Sequence, residues 1–116
     1  MLARANRLVR AADFREVVRR GRRFTTPHAV YYRIDRAPDA PLRFGFIVSK
    51  AVGHAVDRNR VTRRMRASSR VLVDQGRHGA DIVIRALPGA VSLTTADIDR
   101  ELARSVRGDS APVKPR

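Results

Sequence analysis

The chain has 116 residues, enough for one domain whose core needs no metal or disulfide. Lys and Arg number 25 against 11 Asp and Glu, a net charge of +14, with hydrophobic residues at 43%. So much like charge points to a polyanionic partner, either nucleic acid or an anionic membrane surface. The absence of cysteine excludes disulfides, thiol catalysis and thiolate metal sites. His28, His54 and His78 lie too far apart for helical metal-ligand spacing. No apolar run approaches the roughly 20 residues of a membrane span. The N-terminus lacks the apolar stretch of a signal peptide, so the expectation is a soluble cytoplasmic protein.

Residues 1–10 read as a basic, extended segment with Leu8 available to dock. Over 11–20, Phe14, Val17 and Val18 repeat at helical spacing, Asp13 lies near the start and Gly21 supplies a stop. Residues 22–26 predict a short strand closed by Pro27. Residues 29–34 alternate, Val30, Tyr32 and Ile34 against Tyr31 and Arg33, as a half-exposed strand does. Asp35 to Pro41 is a loop, and 42–49 predicts a strand with Phe44, Phe46 and Val48 on one face. The short link makes these two strands an antiparallel hairpin. Its acidic loop would point away from a polyanion.

A turn through Gly53 leads into a helix over about 55–75, with Val61, Met65, Ser68 and Leu72 on one face. Asn59, Arg60, Arg63, Arg64, Arg66 and Arg70 fall on the other side. Residues 81–85 form a short, β-branched buried strand. Thr94-Thr-Ala-Asp97 has the pattern of a capping box and opens a last helix with Ile98, Leu102 and Val106 at fourfold spacing. Residues 1–107 are thus expected to form one α+β domain of order α-β-β-β-α-β-α, and 108–116 a disordered basic tail.

Exposed arginines often do no more than solvate a helix, but solvating helices mix signs to gain i,i+4 pairs. Here the acids Asp57 and Asp74 stand only near the ends, and a phosphate backbone would turn the repulsion into counterion release. The aromatics divide. Phe44 and Phe46 read as core, whereas Phe14 and Tyr32 suit either a core or a stacking platform for unpaired bases. Lys50 before the Gly53 turn suits either a plain strand end or a phosphate contact beside a helix N-terminus. No motif pairs carboxylates for acid–base work, and there is no phosphate loop or nucleophile elbow. On the residues alone the arginine helix favours a nucleic-acid partner, with a stand-alone RNA-binding protein (ribosomal or a chaperone) and a DNA-binding regulator both open.

The run Phe44-Gly-Phe-Ile-Val-Ser-Lys50-Ala-Val-Gly53-His54-Ala-Val-Asp-Arg58-Asn59-Arg60-Val-Thr-Arg63-Arg64-Met-Arg66 resembles the signature of the protein subunit of bacterial ribonuclease P. Asn6-Arg7-Leu8, Asp13-Phe14, Gly21 and Asp81-Ile-Val-Ile-Arg85 extend the resemblance over about 5–106. It implies a small α/β sandwich of the ribosomal protein S5 domain 2-like kind, with a mixed sheet and a left-handed βαβ crossover through the arginine helix. It also implies a ribonuclease P holoenzyme, an endoribonuclease that removes the 5′ leader of precursor tRNA. The RNA subunit and its Mg2+ would do the chemistry, with no catalytic residue and no metal site in this chain. The partners implied are ribonuclease P RNA and precursor tRNA, with no membrane and no obligate protein partner. Lys50, Arg58, Asn59, Arg60, Arg63, Arg64 and Arg66 match the contacts to the catalytic RNA. Phe14, Val18, Tyr32 and His54 match a cleft for the single-stranded leader. Ala51 and Thr62 replace lysines of the pattern, and Val18 stands where many members carry phenylalanine.

Overall fold

A computed structural model describes residues 2–107. The expected tail at 108–116 lies outside the described residues. The elements are α1 (Ala11–Arg20), β1 (Arg22–Thr25), β2 (Ala29–Asp35), β3 (Arg43–Ile47), α2 (Ala55–Asp74), β4 (Ala80–Ala86) and α3 (Thr95–Arg107). Short 3₁₀ turns occupy Arg4–Asn6, Lys50–Val52 and Pro88–Ser92. The α+β order α-β-β-β-α-β-α is as expected, and none of the described helices is long and apolar enough to cross a membrane.

The four strands lie in the order β1-β2-β4-β3, with β3 and β4 parallel and the other pairs antiparallel. The predicted hairpin of β2 and β3 therefore does not form, because β4 lies between them. The reason is visible where the three strands meet. The Arg36 N–H donates to the Gly79 carbonyl at 2.8 Å, and the Gly79 N–H donates to the Ala40 carbonyl at 2.8 Å. The link from β2 to β3 is thus bound to the residue before β4 instead of closing on itself.

Beside it, Asp81 is fully buried. It accepts from Arg36 Nε at 2.9 Å and from Arg43 Nε and Nη2 at 2.8 and 2.6 Å. Arg36 Nη2 reaches on to Glu16 of α1 at 2.8 Å. One carboxylate thus joins the end of β2, the start of β3 and the start of β4. Burying a charge is costly unless its oxygens are paired in this way.

Because β2 is an interior strand, it is not half exposed as its alternation suggested. Ala29, Val30, Tyr31 and Tyr32 are all buried. Two cores result, one on each face of the sheet. The larger packs Tyr31, Phe44, Ile82 and Ile84 under Val61, Met65 and Leu72 of α2 and Ile98 and Leu102 of α3. The smaller packs Val30, Tyr32 and Val83 under Val17 of α1 and Leu8. The i,i+4 stripes predicted for α2 and α3 are the stripes buried.

Several polar side chains at the larger layer pair with one another. Glu101 accepts from Tyr31 Oη and Thr26 Oγ1, both at 2.9 Å, and lies 2.7 Å from His28 Nδ1. Burial first, then the Glu101 charge, push the Tyr31 phenol far above its ordinary pKa, so it stays a donor. The expected capping box forms at α3. The Thr94 N–H donates to the Asp97 carboxylate at 3.2 Å, and the Asp97 N–H donates to Thr94 Oγ1 at 3.0 Å. These bonds hold the Asp97 carboxyl below its usual 3.8. Its stabilising effect is therefore present above that value and is lost as acid protonates it.

Replacing Asp81 with Asn should leave Arg36 and Arg43 without their anion and lower stability by about 2–3 kcal/mol, since both arginines can still reach water. Urea unfolding is the measurement, with the midpoint moving and the slope unchanged. A loss below about 0.5 kcal/mol would mean that the carboxylate does not hold the junction.

Candidate RNA interface

The start of α2 is set by its approach. At Gly53 the backbone has φ +154° and ψ −163°, a region open in practice only to glycine. A Cβ there would come within 2.7 Å of the Asp57 carboxylate, which accepts from the His54 N–H at 3.2 Å. Lys50 is exposed in the turn before it. Along α2, Asn59, Arg60, Arg63, Arg66 and Arg70 are exposed opposite the buried stripe. Arg60 lies 3.9 Å from Asp57 and Arg70 lies 3.5 Å from Asp74. Among the described residues, Arg63 and Arg66 have no acidic side chain within ion-pair distance. The flank is therefore a run of cations with little internal neutralisation, which favours a polyanion over solvent alone.

Two arginines of the predicted set sit differently. Arg64 turns toward α3 and donates to the Leu93 carbonyl at 2.6 Å, satisfying the turn before that helix. Arg58 is half-buried, and its Nε has no hydrogen-bond partner among the described residues. Both lie nearer the packed side of α2 than Arg63 and Arg66 do.

The second surface is the sheet face under α1. Phe14 and Val18 are half-buried and, with Ile47 of β3, line an apolar groove walled by Arg15 and Arg19. The Phe14 ring lies against the backbone of Gly45, where a Cβ would come within 2.5 Å of the ring. Tyr32 does not line this groove. It is only 3% exposed, and the Arg23 guanidinium lies 5.7 Å from its ring centroid. Tyr32 thus supports the floor and has no open face on which a base could stack. His54 stands apart from the groove as the residue preceding α2. A second cleft opens over the outer edge of β3, lined by Arg7, Val9, Phe14, Phe46, Val48, Thr62 and Arg66.

The comparisons bear on what these surfaces serve. The family model described as Ribonuclease P matches residues 2–108. The chain belongs to the ribonuclease P protein family. The ribonuclease P protein component of Clavibacter michiganensis is 49% identical over 106 residues, 91% of this chain and 94% of that one. That of Mycobacterium avium is 40% identical over 119 residues, 99% and 100% of the two chains. A solved structure of the Staphylococcus aureus ribonuclease P protein superposes with a TM-score of 0.71 at 28% identity, covering 91% of this chain and 96% of that one. The Thermotoga maritima ribonuclease P protein shares the fold, with a TM-score of 0.72 at 20% identity over 94% of this chain and 98% of that one. This chain is accordingly the protein subunit of ribonuclease P, an endoribonuclease holoenzyme, and assists removal of the 5′ leader from precursor tRNA. Activity in this family depends on Mg2+. Among the described residues no group of three or more His, Asp or Glu is placed to hold a metal ion.

Sequence reasoning missed Ile47, Arg7, Arg15 and Arg19 as lining residues of these clefts, and Gly45 as the buried seat of Phe14. Only the strand register brings Gly45 and Ile47 beneath α1. Replacing Gly45 with Ala should push Phe14 off the strand and cost about 1–3 kcal/mol. Thermal unfolding checks the cost. Unchanged stability would show that Phe14 does not rest there.

Proposed function

We propose that this subunit holds two RNA segments on two faces. The flank of α2 carrying Asn59, Arg60, Arg63 and Arg66, with Lys50 ahead of it, binds the backbone of ribonuclease P RNA. The groove between α1 and the sheet takes the single-stranded 5′ leader, with Phe14, Val18 and Ile47 against its bases and Arg15 and Arg19 along its phosphates. Tyr32 supports the groove floor from within. His54 borders the α2 surface, where its exposed ring is available to RNA. Arg64 ties α2 to the turn before α3, while Arg58, its Nε unpaired among the described residues, stays with the RNA-contacting set.

The observation that carries the reading is the pair Arg63 and Arg66, exposed on one flank and unmatched by acids among the described residues. Chemistry in this reading belongs to the RNA and its Mg2+. The protein's cations neutralise phosphates that would otherwise repel the substrate, so less Mg2+ is needed. The work is done in the cytoplasm, on precursor tRNA.

Reconstitution with ribonuclease P RNA tests the assignment. The protein should lower the Mg2+ concentration at which precursor tRNA is cleaved, and lower it most for substrates with a leader. Cleavage indifferent to the protein would overturn it.

Substituting Arg63 and Arg66 together by alanine should weaken binding to ribonuclease P RNA. The slope of log K against log salt should flatten by about one unit per lost phosphate contact. An unaltered slope would show that these arginines only solvate the helix.

A further inference from the structure

The strand registers arrange the α1 side of the sheet in three cross-strand rows. The first is Arg43, Asp81 and Ile34, closed by the ion pairs around Asp81. The second is Gly45, Val83, Tyr32 and Arg23, lying beneath α1 with Phe14 over Gly45. The third is Ile47, Arg85, Val30 and Thr25. By strand alternation Arg85 shares a face with Val83 and Asp81, yet it is exposed while both of them are fully buried. β4 is an interior strand. A charged side chain that reaches solvent from an interior strand shows that α1 leaves the Arg85 end of this row uncovered, while Val30 beside it stays buried under Val17 and Leu8.

Arg85 makes no hydrogen bond or ion pair to another side chain among the described residues. The neighbouring acids are committed elsewhere: Asp81 to Arg36 and Arg43 in the first row, and Glu16 to Arg36 and Arg20. Other cations surround the row, with Arg15 and Arg19 on the wall of α1 and Arg23 one row away on β1. Acids therefore gather at one end of the α1 face and unpaired arginines at the other. The Arg85 guanidinium, on the strand beside the part-exposed Ile47, offers a charged fork for a phosphate with apolar surface next to it for a base or ribose.

We propose that Arg85 is a substrate-binding residue, the phosphate contact at the floor of the groove that fixes where a single-stranded leader crosses the sheet. This rests on the leader reading above. It adds a direction to it: the strand runs over the third row, away from Asp81, and past the flank of α1.

The test uses reconstituted holoenzyme and precursor tRNA with and without a leader, over a range of salt concentrations. The proteins compared are the unaltered subunit, Arg85→Ala, Arg85→Lys and, as a control on the groove itself, Phe14→Ala. Arg85→Ala should reduce the affinity gained from the leader about tenfold, as expected for a lost charge-assisted hydrogen bond. It should flatten the salt slope for leader-bearing substrate by about 0.7 units. Arg85→Lys should restore the slope and part of the affinity. If Arg85→Ala keeps the full gain from the leader while Phe14→Ala loses it, Arg85 has no such role and the groove reading stands. If neither substitution changes the gain, the groove reading fails and the role of Arg85 with it. Equal loss with and without a leader would also overturn the proposal, since Arg85 would then act on RNA in general.

Discussion

The buried Asp81 carboxylate is the constraint on which the sheet depends. Its worth lies less in energy than in register, since a buried ion pair contributes little net stability over an apolar replacement. Strand residues alternate between faces, so a slip of β4 by one position would turn Asp81 into the layer occupied by Ile82 and Ile84. There it would be an unpaired charge among apolar side chains. Only the observed register gives it Arg36 from β2 and Arg43 from β3 together. Setting β4 between those strands makes α2 a crossover between two parallel neighbours and brings its Thr62 and Arg66 beside the outer edge of β3.

The two layers are unequal, and the inequality makes the groove. One face is covered by α2 and α3 and holds most of the large buried side chains. The other has only the ten-residue α1 and the segment around Leu8. At about 1.5 Å per residue such a helix is some 15 Å long, too short to close every row of a four-stranded sheet. α1 is anchored at one side by Glu16 through Arg36 and set down on the sheet where Gly45 lets Phe14 approach. What it leaves open is the end of the sheet at Ile47 and Arg85.

Much of this was legible in the sequence, and the limit has a physical cause. Period and capping signals are local, so the helices, the buried stripes of α2 and α3 and the Thr94–Asp97 box could be read directly. Sheet order is not local. The link between β2 and β3 is short enough for a hairpin, and what prevents one is a carboxylate 45 positions from Arg36 and 38 from Arg43. The same distinction divides the site. The basic flank of α2 follows from helical period, but the turning of Arg64 to the Leu93 carbonyl depends on a residue 29 positions away. The aromatic character of Tyr32 was plain, but its burial follows from β2 being interior. Gly45 and Arg85 have meaning only once the register is known.

The two proposed RNA surfaces share β3. Phe44 and Phe46 face the layer under α2, while Gly45 and Ile47 face α1. On the outer edge of the strand, Leu8 N–H donates to the Phe44 carbonyl at 2.8 Å, bringing Arg7 alongside. Beyond that bond the cleft over the edge joins α1, through Phe14, to α2, through Thr62 and Arg66. An RNA gripped by α2 and a leader lying under α1 would therefore be held a strand or two apart, on one hydrogen-bonded sheet. Such rigidity is what a positioning subunit needs. Fixing two reacting partners relative to one another lowers a barrier without supplying any reacting group, provided the scaffold does not yield. The buried junction at Asp81 is what keeps it from yielding.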